Sequence, residues 1–188
     1  MDRKRKTQDE HELEKDAKKG APPRPPVVEI TIDKAVIKGY HIFRLRPLMG
    51  LRMNVVAEPD NQHDKHALAV FMPPLEKIPT DQHDVVTDTK RRTVVRDIAE
   101  KCVGHLPASL SSILNQLSSA GEVEEITCVA IGLPRRSFWP WPEAVQKGGG
   151  AVVPCQIHLQ VVDKERATAA LRAAFNDMGP EKEVLTVL

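Results

Sequence analysis

In the segment 153–161, the side chains alternate between apolar and polar from Cys155 onward. The apolar set is Cys155, Ile157, Leu159 and Val161, and the polar set is Gln156, His158 and Gln160. Such alternation is typical of a β-strand, because successive side chains point to opposite faces of a sheet. The segment therefore predicts a strand with one buried face and one face in water.

Shorter segments of β-type residues precede this strand. They predict further strands at residues 27–32, 35–43, 51–57, 67–72 and 123–131. Turn residues separate some of them, as Pro59 and Asn61 do between the third and the fourth. Roughly six or seven short strands in a chain of this length predict a mainly β fold, a small and partly closed antiparallel barrel.

Two segments have helical spacing instead. An internal helix is expected to begin at Ser109, a candidate N-cap, and to end before Gly121. Its apolar face consists of Leu110, Ile113, Leu114 and Leu117. A C-terminal helix has the apolar face Ala167, Ala170, Leu171, Ala174 and Phe175. Because this second helix is amphipathic, we expect it to lie with its apolar face against the barrel.

Composition sets the expected limits of the domain. Residues 1–26 are charged, rich in proline at their end and poor in apolar residues, which predicts a disordered tail. Residues 73–101, which include a basic run at 90–92, lack a sustained period and are predicted to be a disordered insertion. Residues 179–188 are expected to be loose. The barrel domain is therefore expected over residues 27–178.

Overall charge does not point to a particular partner. The 27 Lys and Arg residues nearly balance the 26 Asp and Glu residues, which leaves a formal net charge of +1. Any surface for nucleic acid must therefore be a local patch. The four basic residues at 3–6 fit either a nuclear localisation signal or a solubilising tail.

Cysteine spacing and hydropathy bear on the compartment. Cys102, Cys128 and Cys155 lie in separate apolar stretches and form no C-x-x-C pair, which is typical of reduced core residues and argues against structural zinc. No apolar run approaches the roughly 18 residues that span a bilayer, and residues 1–20 lack a signal-peptide pattern. We expect a soluble protein of the nucleus or otherwise the cytoplasm, neither secreted nor bound to a membrane.

Catalytic motifs are scarce. His63, Asp64 and His66 place two imidazoles and a carboxylate within four residues, which suggests a metal-dependent hydrolase. Such a site needs further ligands from elsewhere in the fold, and these three residues follow a turn that leads into a strand. The sequence contains no G-x-S-x-G elbow and no Walker-type phosphate loop. We therefore expect a non-catalytic module without a cofactor.

Aromatic residues are few, at 4% of the chain, but three lie together at 138–141. Arg135 and Arg136 precede this cluster, and Tyr40 and Phe43 lie near Arg44, Arg46 and Arg52 in the sequence. Because bases stack on aromatic rings and guanidinium groups match phosphate oxygens, these pairings favour a surface for nucleic acid. The alternative is that the rings fill the core.

The loop at 132–150 is expected to hold its rings outward as a mobile clamp. Pro134 and Pro140 should keep it out of the sheet, and the glycines at 148–150 should act as a hinge. An exposed pair of indoles, Trp139 and Trp141, would then mark an interaction site.

Three motifs in this order resemble the HIRAN domain family. The first is Ile37-Lys38-Gly39-Tyr40, the second follows the pattern E-P-x-N-x-x-D-x-x-A-x-x-V over residues 58–70, and the third reads V-G-H-L-P over residues 103–107. The resemblance spans roughly residues 36–162. It implies an OB-like antiparallel β-barrel that holds the 3′ end of single-stranded DNA, as a module of DNA-repair proteins.

The resemblance also implies roles for individual residues. Asp64 matches a carboxylate that accepts a hydrogen bond from the terminal 3′-hydroxyl, His63 replaces a stacking aromatic, His105 matches a pocket histidine, and Phe138 matches a loop aromatic. The family's Arg-Tyr pair after the first strand is His41-Ile42 here, and a family lysine is Ala108. The complete set of expected contacts is Tyr40, His41, Phe43, His63, Asp64, His105, Arg135, Arg136, Phe138 and Trp139.

Three functions follow from these patterns. The first is a non-catalytic module that binds the 3′ end of single-stranded DNA. The second is a protein-interaction module that uses the loop at 138–141 while the DNA pocket has degenerated. The third is a metal-dependent hydrolase acting through His63, Asp64 and His66.

Overall fold

The computed structural model describes residues 26–143, 146 and 149–188. The strands, in chain order, are β1 (Val28–Lys38), β2 (Arg52–Ala57), β3 (Leu68–Phe71), β4 (Val86–Asp88), β5 (Thr93–Val94), β6 (Cys102–His105), β7 (Val123–Ala130), β8 (Arg135–Arg136), β9 (Ala151–Val161) and β10 (Thr186–Val187). The α-helices are α1 (Tyr40–Phe43), α2 (Val95–Ile98), α3 (Ala108–Ser119) and α4 (Lys164–Asn176). Apart from Pro26, the predicted tail at 1–26 lies outside the described residues.

Six antiparallel strands form a closed barrel. They follow the order β1, β6, β3, β2, β7 and β9, and β9 pairs again with β1 to close the ring. The pairing of β1 with β9 runs from Val28 opposite Val161 to Lys38 opposite Val152. β10 pairs with β1, and β8 pairs with β9. The predicted mainly β antiparallel barrel, with an internal and a C-terminal helix, is confirmed.

One continuous core fills the barrel and reaches the two long helices. The apolar side of β9 is buried as predicted, and Ile30 and Ile32 on β1 are buried beside it. Leu114 of α3 and Leu171 of α4 belong to the same core. Cys128 and Cys155 are buried free thiols, whereas Cys102 is half-buried. Because a fully buried Leu or Ile stabilises by about 1.5–3 kcal/mol, this core dominates the stability of the fold.

The first strand and the residues after it differ from the expectation. The segments predicted as strands at 27–32 and 35–43 form one strand, β1, with an irregularity between Ile32 and Ala35. The strand ends at Lys38, and the positive φ of 90° at Gly39 turns the chain into the short helix α1. Residues 40–43 are therefore helical because a left-handed glycine breaks the strand before them.

Residues 73–101 are structured, which differs from the expected disordered insertion. They form two 3₁₀ turns, the β4–β5 hairpin and α2. Ile78, Val95 and Ile98 are at most 3% exposed and join the main core. Elements of two to four residues are too short to show a hydrophobic period, which explains why the sequence pattern missed them.

The chain end is also ordered. A 3₁₀ turn at Pro180–Glu183 leads into β10, where Thr186 pairs with Asp33 of β1. Leu185 is buried, and the Leu188 N–H donates to the Thr31 carbonyl at 2.8 Å. A strand of two residues carries no alternation for a sequence pattern to detect, so residues 179–188 differ from the loose end that was expected.

The two long helices agree closely with the prediction. α3 begins at Ala108, after Pro107, so Ser109 lies in the first turn and its hydroxyl donates to Glu181 at 3.4 Å. α4 is capped by Asp163, which accepts from the Arg166 N–H at 2.9 Å. Among the described residues, no helix is long and apolar enough to cross a membrane.

Candidate functional site

A row of paired residues crosses one edge of the barrel and locates most of the predicted contacts. In order across six strands, the row is Val56, Ala69, His105, Lys38, Val152 and Arg135. The turn between β2 and β3, the ends of β1 and β6, and the start of β9 therefore lie at the same edge. Helix α1 follows the end of β1 and contacts both β6 and β9.

Side-chain hydrogen bonds hold the turn between β2 and β3 in shape. The side-chain oxygen Oδ1 of Asn61 accepts from the backbone N–H groups of His63 and Asp64, at 3.0 and 3.2 Å. Asp64 Oδ1 in turn accepts from the His66 N–H at 2.8 Å. Local bonds of this kind are typical of asparagine and aspartate in turns, so the E-P-x-N-x-x-D pattern codes for this conformation.

The same turn is tied to α3. The Asn115 amide donates to the His66 carbonyl at 2.6 Å. The turn therefore has a fixed position relative to the barrel, although many of its residues are exposed. An open depression of about 400 Å³ lies at its start and is lined by Ala57, Glu58, Pro59, Asp60 and Asn61.

His105 joins this turn to α1. Its Nε2 lies 2.9 Å from Glu58 Oε2, and its ring centroid lies 5.6 Å from that of Phe43, with the ring planes tilted by 48°. The preceding residue, Gly104, is buried with a φ of 157°. A Cβ at Gly104 would overlap the Lys38 carbonyl oxygen, so only glycine lets β6 approach β1 this closely.

Glu58 is the acidic member of the group formed by Glu58, His105 and Phe43. Its partial burial disfavours the carboxylate, but hydrogen bonds from Asn61 and His105 outweigh that effect and lower the pKa of Glu58. The carboxylate is therefore held ionised beside the His105 ring. Glu58 and Asn61 belong to the sequence motif but were not among the predicted contacts, since the pairing of Glu58 with His105 spans 47 residues.

The part of the predicted loop that comes before residue 144 lies across the same edge but joins the sheet, contrary to expectation. Arg135 and Arg136 form β8, opposite Val152 and Ala151, and the Ser137 N–H donates to the Gly150 carbonyl at 2.8 Å. Pro134 and Pro140 flank this pairing without preventing it. Gly148, in the predicted hinge, lies outside the described residues.

The aromatic residues of this loop divide between surface and core. Trp139 is 57% exposed, whereas Trp141 is 2% exposed and belongs to the core, so the predicted pair of outward indoles is wrong for Trp141. Phe138 is half-buried, and the Arg135 guanidinium carbon lies 4.0 Å above its ring centroid. The exposed aromatic part of the loop is thus a cation–π pair and one indole.

Helix α1 lies between the turn and the loop. Phe43 faces His105, while His41 Nδ1 lies 3.5 Å from the backbone nitrogen of Ala151. A Cβ on Gly150 would overlap the His41 ring, which explains the glycine there. Tyr40 packs partly against the core and offers less of its ring than expected.

The predicted contacts therefore form two groups at one edge. Phe43, His63, Asp64 and His105 lie at or beside the turn, and His41, Arg135, Arg136, Phe138 and Trp139 lie at or beside the loop. The hypothesis of a metal-dependent hydrolase gains no support from the geometry. In the described part of the chain, no three His, Cys, Asp or Glu side chains are gathered in a way that could hold a metal ion.

The strand pairing and this edge define a closed antiparallel β-barrel with a polar, partly aromatic rim. The chain is similar to the HIRAN domain of human HLTF, known from a crystal structure, with 15% identity and a TM-score of 0.46. The match covers 81% of this chain and 97% of that one. No family model and no curated protein sequence matches the chain.

Proposed function

We propose that the rim of the barrel binds a single strand of DNA at its free 3′ end. The observation that carries this proposal is the division of charge along one edge. The turn between β2 and β3 carries three acids, Glu58, Asp60 and Asp64, against one lysine, and arginines and rings lie at the loop around β8. A strand end that carries a hydroxyl rather than a phosphate suits an acidic turn, and the phosphates behind it suit the arginines.

Asp64 is the group that would read the terminal hydroxyl. One of its oxygens accepts the His66 N–H, and no described residue donates to the other. A carboxylate accepts a hydrogen bond from a hydroxyl but repels a terminal phosphate. The resemblance of residues 58–70 to the HIRAN motif supports the same role for Asp64.

The rings supply stacking faces along the edge. The tilted pair of Phe43 and His105 lies next to the turn, and Phe138 and Trp139 lie at the loop. His105 and Arg135 are three strands apart, which at about 4.8 Å per strand places them roughly 14 Å apart along the sheet. Base stacking on aromatic side chains contributes about 1–3 kcal/mol per base.

The test compares matched oligonucleotides that end in a 3′-hydroxyl or a 3′-phosphate. Fluorescence anisotropy should show tighter binding of the hydroxyl end. Asp64→Asn should weaken binding of the hydroxyl end about tenfold and remove the discrimination, because a charge-assisted hydrogen bond is lost. Asp177→Asn, at the exposed end of α4, is the matched control and should bind as the wild type does. Equal affinity for both ends would disprove end recognition.

The second candidate is a protein partner that contacts the loop. Trp139 is 57% exposed and Leu133, in the same loop, is 55% exposed, and exposed apolar side chains of this size are typical of interaction sites. Salt separates the two functions, because affinity for DNA falls steeply with salt, whereas an interface centred on Trp139 depends little on it.

A further inference from the structure

The β4–β5 hairpin carries a basic turn that the functions above do not use. Residues 89–92 are all exposed, and three of them are Lys90, Arg91 and Arg92. The turn is fixed rather than loose, because the Asp88 carboxylate accepts from the backbone N–H groups of Lys90 and Arg91, at 3.0 and 3.2 Å. Its cationic side chains are thus presented at a defined place on the surface.

The hairpin reaches the residue that follows α1. Arg91 Nη1 donates to the Arg44 carbonyl at 2.7 Å and also approaches Asp88 Oδ2 at 3.4 Å. Arg44 directly follows Phe43, whose ring contacts His105. The basic turn therefore contacts the chain directly after the Phe43–His105 pair of the proposed DNA-end site.

Arg44 and Arg46 extend the positive charge between the hairpin and α1. Arg44 is exposed. Arg46 is half-buried, and its buried Nε finds no hydrogen-bond acceptor among the described residues. Burial disfavours the Asp88 carboxylate, but the two backbone hydrogen bonds and then the charges of Arg46 and Arg91 outweigh that effect and lower the pKa of Asp88. The turn and the segment after α1 thus carry five cationic side chains, of which only Arg91 forms an ion pair with a described acid, Asp88.

We propose that this patch, made of Arg44, Arg46, Lys90, Arg91 and Arg92, binds the phosphates of the same DNA strand upstream of its 3′ end. The inference rests on the proposed function and adds a second surface for the phosphates of the strand, at the β4–β5 hairpin, to the arginines of the loop around β8. Arg91 positions the hairpin through its bond to Arg44, whereas Lys90 and Arg92 are free to meet phosphate, since no described acid pairs with them.

The test uses the double variant Lys90→Gln/Arg92→Gln, which leaves the bonds of Asp88 and Arg91 in place. Binding of oligothymidylates of about 4 and about 12 nucleotides is measured by anisotropy between 50 and 200 mM salt. For the longer strand, we expect affinity on the order of tenfold lower near 0.1 M salt. The log-log salt slope should fall by about 1.4, at about 0.7 for each lost phosphate contact. The shorter strand should change less than about twofold.

Lys164→Gln/Arg172→Gln, an exposed basic pair on α4, is the charge-matched control and should leave both affinities unchanged. Wild-type binding with an unchanged slope in the hairpin variant would overturn this inference alone. Equal losses for both lengths, or in the control pair, would also overturn it. If the wild type binds neither oligonucleotide, the proposed function fails together with it.

Discussion

His105 Nε2 lies 2.9 Å from the carboxylate of Glu58, a residue 47 positions earlier in the chain. This contact joins the end of β6 to the turn between β2 and β3, and the Phe43 ring lies beside the same imidazole. The Glu58–His105 pair holds the turn between β2 and β3 against β6. Protonation of Glu58 should therefore loosen the turn.

The first prediction concerns acid. Because the pKa of Glu58 is lowered in the folded protein, its stabilising effect is complete above its usual value of 4.5 and is lost as the pH falls through the lower folded value. Below pH 4.5, the stability of Glu58→Gln should therefore fall less steeply with decreasing pH than that of the wild type. Urea midpoints across that pH range measure the difference. Glu165→Gln, on the exposed face of α4, is the control. If the stability of Glu58→Gln falls with pH as steeply as that of the wild type, ionised Glu58 does not stabilise the fold.

The second prediction concerns Gly104. Gly104→Ala should lower the free energy of unfolding by about 3 kcal/mol, because the new Cβ overlaps the Lys38 carbonyl in addition to straining the backbone. Gly50→Ala is a matched control, since Gly50 has a φ of 79° but open space around it, and should cost only about 1 kcal/mol. Similar urea midpoints for the two variants would show that β6 does not need the close approach.

The third prediction concerns the segment at 73–101. Ile98 is fully buried, so Ile98→Ala should lower stability by about 2–4 kcal/mol. Val86→Ala on the nearby hairpin, where the side chain is 51% exposed, should change it by less than about 0.5 kcal/mol. Thermal unfolding measures both. If the two variants melt alike, the segment does not share the core.

The fourth prediction separates the two tryptophans. Trp141→Ala should cost about 3–5 kcal/mol because the indole is buried, whereas Trp139→Ala should leave the unfolding midpoint nearly unchanged. If DNA binds at the loop, quenching of tryptophan fluorescence by an oligonucleotide should disappear in Trp139→Ala. Quenching that persists in that variant would contradict the placement of DNA over Trp139.

Periodicity explains which parts of the fold the sequence could predict. The alternation at 153–161 and the i, i+4 spacing in α3 and α4 are long enough to be recognised, and the structure has these elements. β8 and β10, each of two residues, are set by their pairing partners rather than by their own pattern. Short elements that owe their shape to tertiary contacts carry no local signal.

The candidate site divides in the same way. Asp64 and His105 stand out in the sequence because they belong to motifs, and the structure places both at one edge of the barrel. The partner of His105 could not be found from spacing, because it depends on strand register. Likewise, Trp139 and Trp141 are two residues apart in an irregular loop, where no period distinguishes an exposed indole from a buried one.

The closure of β1 on β9 has a consequence for how the protein is made. Thr31 of β1 is hydrogen-bonded to His158 of β9, which is 127 residues later. At about 5–20 residues per second, a ribosome needs roughly 6–25 s to make the intervening chain. Until β9 has been made, the edge of β1 that pairs with it, which is rich in isoleucine and valine, lacks its partner. We therefore expect the nascent chain to depend on chaperones more than its small size suggests, and refolding to be slow, in milliseconds to seconds.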